Sequence, residues 1–515
     1  MLDLGTTFLA SLEREPGALA IVDGDVRLSY RDLYKSISAL VAAFDDLGMQ
    51  PGDHLVSVLR NRWQTATLHW ACQFSGVILT PINWRAKADE VSYAVSDSEA
   101  RAVAFEEFSA EACRSAHLPD GIHLISLSQP EAGEFFFDAL LDRDAAPARP
   151  RVGADAWSLM LYTSGTTSRP KGVPRRQRAE RAAAIAHVAQ NLYAYGEKTL
   201  GVMPLYHTMG VRSLLASAIT NGTFVCMPKF DASEALQMIE REKIDNLYLV
   251  PTLYHSVVNH PDFTATDISS VRKLGFAGAP MTEGLLKVLD AAFKPDLFVN
   301  HYGSSEIYTC TINQRAQIKP GSAGRSGINQ MIRVVALDTN DPENRVPAGQ
   351  EGQIIALMAG DEAFEGYWRR PDTDVKSFKD GWYFSSDTGY FDEDGDLFVT
   401  GRVDDMIISG GENVSPVEVE SLLSLHPGVS EVAVVGLPDE KWGRVVTAFI
   451  SRTNDVTDAE LDAYCAMSTL ANFKRPRRYV FVTEIPKSPV GKLLRRKLVE
   501  GEYQLESMQK EKSPA

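Results

Sequence analysis

Cysteine is scarce and unpaired. The 515 residues hold five, Cys72, Cys113, Cys226, Cys310 and Cys465, at spacings that fit neither a zinc ribbon nor a disulfide framework. A reducing, cytoplasmic setting is therefore expected. Basic charge is also in deficit: Lys and Arg total 52 against 68 Asp and Glu, a formal net charge of −16. That balance argues against a general nucleic-acid binder, whose affinity rests on neutralising phosphates. Any anionic ligand must be met by local basic groups. No apolar run reaches membrane-spanning length, so no membrane association is expected. Met1 to Pro16 carries acidic residues and no basic segment ahead of an apolar one, unlike a signal peptide. The 10 histidines show no HExxH or similar metal spacing, and no Gly-x-Ser-x-Gly elbow supplies a hydrolase nucleophile.

What is present is ample apolar material, 44% of the chain, enough for two or more domains. Short β-rich apolar runs recur between helical patterns: Trp157 to Tyr162, Asn246 to Val250, Val271 to Phe276, Leu297 to Tyr302 and Glu431 to Val435. The alternation predicts an α/β architecture. Several runs end in Gly, Ser or Thr, where an open α/β sheet places its ligands. An Ala-rich helix is predicted over Gln177–Tyr195, a hairpin turn over Asp392–Asp396, and a domain boundary near Val403, dividing the chain into 1–402 and 403–515.

The most specific local signal is Tyr162-Thr163-Ser164-Gly165-Thr166-Thr167-Ser168-Arg169-Pro170-Lys171-Gly172, directly after an apolar strand. Backbone amides freed by Gly165 and the hydroxyls of Thr163, Ser164, Thr166 and Thr167 can donate to phosphate oxygens while Lys171 supplies charge. Lys171 stands six residues after Gly165, as in a Walker A loop, but Pro170 replaces the second glycine and Gly172 the magnesium-binding hydroxyl. A standard P-loop NTPase is thereby disfavoured. A Ser/Thr-rich surface turn is the alternative.

The loop resembles the signature of the adenylate-forming superfamily, which includes acyl-CoA synthetases, luciferases and the adenylation domains of peptide synthetases. Further matches follow in the family's order: Met203-Pro204-Leu205-Tyr206-His207, Gly275 to Pro280, Tyr302-Gly303-Ser304-Ser305-Glu306, Gly381 to Gly389, Gly401 to Asp405 and Pro486 to Lys492. The resemblance implies a large N-terminal domain of βαβ-type sheets joined by a hinge to a small α+β C-terminal domain. It implies adenine and phosphate contacts from Gly278, Ala279, Pro280, Tyr302, Ser304 and Ser305, and a magnesium ligand in Glu306, consistent with that ion's preference for oxygen. Asp387 and Arg402 resemble the ribose and phosphate contacts, Lys492 the catalytic lysine, Asp404 the hinge residue, and His207 the aromatic that lines the acyl pocket and gates CoA entry.

Gly401 to Asn413 and Asn472 to Tyr479 are similar to the 4-chlorobenzoate–CoA ligase branch. That likeness implies CoA contacts from Arg85, Gly410, Gly411, Trp442, Phe473, Arg475 and Arg477, and an acyl pocket of His207, Tyr248, Gly278, His301, Gly303, Tyr308 and Thr309. With a histidine at 301 the pocket is polar, favouring a hydroxylated or heteroaromatic acid such as hydroxybenzoate or furoate over an alkyl chain. The expected function is an ATP-, Mg2+- and CoA-dependent carboxylate–CoA ligase acting through an acyl-adenylate on a small aromatic acid. Its expected partners are the acid, ATP and CoA, and the resemblance is compatible with a homodimer. The competing expectations are an adenylation enzyme loading a carrier protein, or a ligase for a short or medium-chain aliphatic acid.

Overall fold

The computed structural model describes residues 1–128, 133–163, 169–337, 339–402, 405–468, 470–487 and 493–506. Ser164, Gly165, Thr166, Thr167, Asp404 and Lys492 lie outside the described residues. Two sheets carry the first 402 residues. In the seven-stranded sheet, His54–Val58, Ile78–Pro81 and Ala102–Phe105 are buried along their whole length, as central parallel strands covered on both faces must be. Trp157–Thr163 joins this sheet beside Ile78–Pro81 and turns antiparallel into Lys171–Arg176, setting Thr163 opposite Lys171.

The larger sheet has fourteen strands among the described residues. Its central parallel strands are Asn246–Leu249, Lys273–Phe276 and Leu297–Tyr302, held in a register that aligns Leu249 with Phe276 and Phe276 with Asn300. The loops that follow all three therefore emerge along one carboxyl edge. One apolar core joins both sheets through the helices Tyr30–Asp46, Trp63–Ser75, Gln177–Gln190 and Thr208–Ile219. Tyr30–Asp46 starts with a capping box between Ser29 and Asp32. Trp63–Ser75 is buried on nearly every side, which identifies it as a helix inside the layers and not on their surface.

The C-terminal part is a separate five-stranded sheet built on the long antiparallel pair Val429–Asp439 and Gly443–Arg452, with helices Pro416–Leu423 and Asp458–Ala466. Its core cluster is its own. The chain is thus α/β with a large N-terminal and a small C-terminal domain, as expected. No helix among the described residues is long and apolar enough to cross a membrane.

Element bounds shift slightly from the sequence reading. Leu297–Tyr302 is as expected, Val271 to Phe276 begins at Lys273, and Glu431 to Val435 is the middle of the longer strand Val429–Asp439. The turn Asp392–Asp396 is present, its aspartates gathered around Lys319. The helix from Gln177 ends at Gln190, five residues early. Asn191 bonds its side chain back to the His187 carbonyl and Leu192 takes φ 52, which leaves the helical path.

Burial pulls the imidazoles of His54 and His69 down to about 4. An unfolded chain protonates them near pH 6.5. Between those values the unfolded state binds more protons, so stability falls as pH falls, by about 1.4 kcal/mol per unit for each ring. Urea unfolding should show this decline between pH 6.5 and 5, above the range where exposed carboxylates titrate. A midpoint flat from pH 7 to pH 5 would contradict it.

Candidate active site

The strand ends build the site. Gly278, two residues beyond Lys273–Phe276, has φ 82, a conformation that favours glycine. Gly303 follows Leu297–Tyr302, and a Cβ there would strike the Tyr308 carbonyl oxygen. The segment after it folds back on itself, with the Tyr308 amide donating to the Ser304 carbonyl at 2.8 Å and Tyr308 at φ 63. This tight turn presents Ser304, Ser305 and Glu306. The Ser304 hydroxyl is buried without a partner among the described residues.

One end of the site is anionic and oxygen-rich. The Tyr302 hydroxyl donates to Asp387 Oδ2 at 2.6 Å. Asp387 also faces Arg402 across two antiparallel strands, with Nη1 3.4 Å from Oδ1. Glu306 Oε1 accepts from the Tyr367 hydroxyl at 2.8 Å, and the Lys171 ammonium lies 5.0 Å from the Tyr367 ring centroid. Tyr367 thus joins the predicted magnesium ligand to the lysine of the phosphate loop. The contribution of Tyr367 was not legible in the sequence.

Beneath this turn is a buried polar layer. Arg175 and Glu180 pair at 2.9 Å with both side chains fully buried. Glu180 Oε2 accepts from the Tyr308 hydroxyl at 2.9 Å, and Arg175 Nη1 donates to the Glu306 carbonyl at 3.1 Å. Tyr308, predicted to line the acyl pocket, therefore has its hydroxyl committed to Glu180.

Three of the other predicted acyl residues, His301, Tyr248 and Thr309, lie close together. The His301 ring sits 5.1 Å from the Tyr248 ring and 5.4 Å from His187, centroid to centroid. Burial holds the His301 and His187 imidazoles well below their ordinary range, with Arg212 adding to the effect. Arg212 donates to Thr309 Oγ1 at 2.6 Å and to the Tyr248 hydroxyl. The sequence reading made His301 a polar partner for the acid. Its Nε2 already meets Asn191 Oδ1 at 3.1 Å, so that donor is taken. Arg212, Asn191 and His187 were missed. The signal available for Arg212 was a lone charge in the otherwise uncharged, mostly apolar run Met209 to Ile219.

His207 caps the helix Thr208–Ile219, its Nδ1 accepting from the Met209 amide at 3.3 Å. Asn61 fixes the approach to it by donating to the Gly201 and Met203 carbonyls at 2.8 and 2.7 Å. Beside this segment lies a cavity of about 240 Å³ lined in part by Trp84, Arg85, Met203, Tyr206, Lys229 and Phe230. The Arg85 guanidinium stacks on Trp84 at 3.8 Å.

In the C-terminal domain, Gly410 and Gly411 have φ 61 and 88, and the Gly410 amide donates to the Trp442 carbonyl at 2.9 Å. Trp442 and Phe473 are 37% and 44% exposed, available for stacking. The neighbouring cations are largely compensated: Lys474 pairs with Glu418, Arg475 with Asp462 and Arg478 with Asp439. Arg477 donates to the Asn472 carbonyl.

Residues 8–368 match the AMP-binding enzyme family and residues 418–492 its C-terminal domain. A 4-chlorobenzoate–CoA ligase of an Arthrobacter species is 33% identical over 495 residues, 95% of this chain and 93% of that protein. A long-chain-fatty-acid–CoA ligase of Mycobacterium tuberculosis is 32% identical over 478 residues, 92% of each. An anthranilate CoA ligase solved in complex with anthranoyl-AMP superposes with a TM-score of 0.88 at 26% identity, covering 97% of both chains. With the strand-edge turn, the Tyr302–Asp387–Arg402 cluster and these full-length matches together, this chain belongs to the adenylate-forming, AMP-binding enzyme family.

Proposed function

We propose that the enzyme is a CoA ligase for a small aromatic or heteroaromatic acid of the benzoate, hydroxybenzoate or furoate class. The observation that carries the substrate class is the buried polar floor of His301, Tyr248, Arg212 and Thr309 next to the strand edge. An alkyl chain would leave the buried Arg212 Nε and His301 Nδ1 unmatched, whereas a polar-substituted ring offers them partners. The relatives include both aromatic and fatty-acid ligases, so the relatives alone do not choose.

In this reading a carboxylate oxygen attacks the α-phosphorus of ATP and pyrophosphate leaves. The CoA sulfur then attacks the acyl carbon, and AMP leaves. Ser164, Gly165, Thr166, Thr167, Thr163 and Lys171 would cradle the phosphates. Gly278, Ala279, Pro280 and Tyr302 would border the adenine, and Asp387 with Arg402 the ribose. Glu306, an almost buried carboxylate with one oxygen held by Tyr367, offers the hard oxygen that magnesium requires; a bound ion would neutralise phosphate charge. The cavity with Arg85 and Lys229 at its wall, together with Gly410, Gly411, Trp442, Phe473, Arg475 and Arg477, would receive CoA. Pyrophosphate release from ATP, measured across a panel of acids with and without CoA, tests the whole scheme. Acid-dependent release that never yields a CoA thioester would favour a carrier-protein acceptor instead.

The division at 402/403 carries a second expectation. Rotation about Asp404 would exchange the Lys492 face for the Gly410–Gly411 face. Asp404→Pro fixes φ there and should slow thioester formation more than adenylation in single-turnover experiments. Adenylation hit harder would count against the two-conformation cycle.

A further inference from the structure

We infer that Arg212 and His301 together read a hydroxyl group carried by the acid at the end remote from its activated carboxylate. The inference rests on the proposed ligase reading and refines its substrate. Arg212 stands in the helix Thr208–Ile219, five residues after His207, and is 2% exposed. A guanidinium so buried ordinarily meets a carboxylate. This one forms no ion pair among the described residues; its two terminal nitrogens go to neutral hydroxyls, Thr309 and Tyr248. The Glu362 carboxylate accepts from the Thr309 amide at Oε2, 3.1 Å, and feels Arg212 through space without pairing with it; burial pushes that carboxyl group up and the Arg212 charge opposes the shift. The Nε–H of Arg212 is left buried with no acceptor among the described residues.

His301 presents the complementary vacancy. The Asn191 amide is oriented by its Nδ2, which donates to the His187 carbonyl at 2.8 Å. Its Oδ1 therefore faces His301 and must accept from Nε2–H at 3.1 Å. That fixes the tautomer. The remaining Nδ1 is a bare lone pair, also buried with no partner among the described residues. Both groups flank one ring: His301 lies 5.1 Å from the Tyr248 centroid, and Arg212 Cζ 5.4 Å from it. Tyr248 and His301 sit near the carboxyl ends of two parallel strands that flank Lys273–Phe276 on either side, where ligands of such sheets bind.

A buried donor and a buried acceptor left unmatched beside one ring are costly to keep. A hydroxyl satisfies both, donating its proton to Nδ1 and accepting from Nε–H. A carboxylate would set lone pairs against the Nδ1 lone pair, and chloride or methyl would satisfy neither.

The test is kcat/KM for pyrophosphate release with benzoate, 3- and 4-hydroxybenzoate, 4-chlorobenzoate and terephthalate, in the wild-type enzyme, Arg212→Met and His301→Ile. Wild type should favour one hydroxybenzoate over benzoate by about a hundredfold, given how strongly polar sites discriminate. Each variant should narrow that ratio to about tenfold or less, with melting temperature and ATP binding confirming a folded protein. A wild-type preference for benzoate, chlorobenzoate or terephthalate overturns the inference, and so does a ratio unchanged in either variant. If Arg212→Met fails to fold, the wild-type panel and His301→Ile still decide. Absence of acid-dependent pyrophosphate release with every acid would instead strike the ligase reading itself.

Discussion

Adenylate formation should fall by roughly two to four powers of ten when Lys492 is replaced by Ala, while thioester formation from a supplied acyl-adenylate changes far less. As the carboxylate attacks, negative charge spreads over the α-phosphate, and a positioned ammonium in a dehydrated site is worth most at that moment. In the second half-reaction charge also develops on the departing AMP phosphate, but in the proposed two-conformation cycle the Lys492 segment would by then have rotated away from it. Rapid-quench measurement of the two half-reactions separates them. Equal losses in both would make Lys492 a structural residue.

The second large effect is expected in the buried layer. Glu180→Leu should destabilise the N-terminal domain by roughly 3–5 kcal/mol, because it strands the Arg175 charge in the interior. Glu180 also receives the Tyr308 hydroxyl, and Arg175 holds the Glu306 carbonyl. The variant should therefore loosen the turn that presents Ser304, Ser305 and Glu306, and adenylation should weaken even where the protein remains folded. Glu180→Gln, which keeps an acceptor for Tyr308, should lose less on both measures. Urea unfolding and pyrophosphate release read the two consequences separately. A fully stable Glu180→Leu would mean that solvent reaches Arg175 and that the pair is dispensable.

Much of this architecture was legible in the chain. Leu297 to Tyr302 could be read to its last residue because the glycine- and serine-rich segment from Gly303 ends the run. The turn Asp392–Asp396 announced itself through its Asp and Gly content. The helix from Gln177 was overextended because Ala-rich composition carries no stop signal, and its end is set by one side-chain bond from Asn191. The site was legible where function forces unusual local sequence, as in the glycine-, serine- and threonine-rich strand ends. It was opaque where distant segments meet. Glu180 and Asn191 come from one helix and its C-terminal cap, Arg212 from another helix and Tyr367 from a distant loop, and nothing in their own neighbourhoods signals whom they will touch. The assignment of His301 shows the boundary: its position near the acyl site followed from strand alternation, whereas its hydrogen-bonding sense depended on an amide 110 residues away.

The flanks of residues 488–492 are fastened to the body of the C-terminal domain. Lys487 pairs with Glu431 on the strand Val429–Asp439 and bridges to Leu493, while Arg495 clasps the buried Glu420 at 2.7 Å and reaches Asp405 at 3.6 Å. Glu420 in turn accepts from the Val434 amide of the same strand at 2.7 Å. The proposed rotation at Asp404 would then carry the lysine segment like a tooth on a cog, in fixed phase with Gly410 and Gly411. The two half-reactions would be interlocked in time: the machinery for activating the acid would be withdrawn by the same stroke that admits the thiol, and neither reagent would then intercept the other's step.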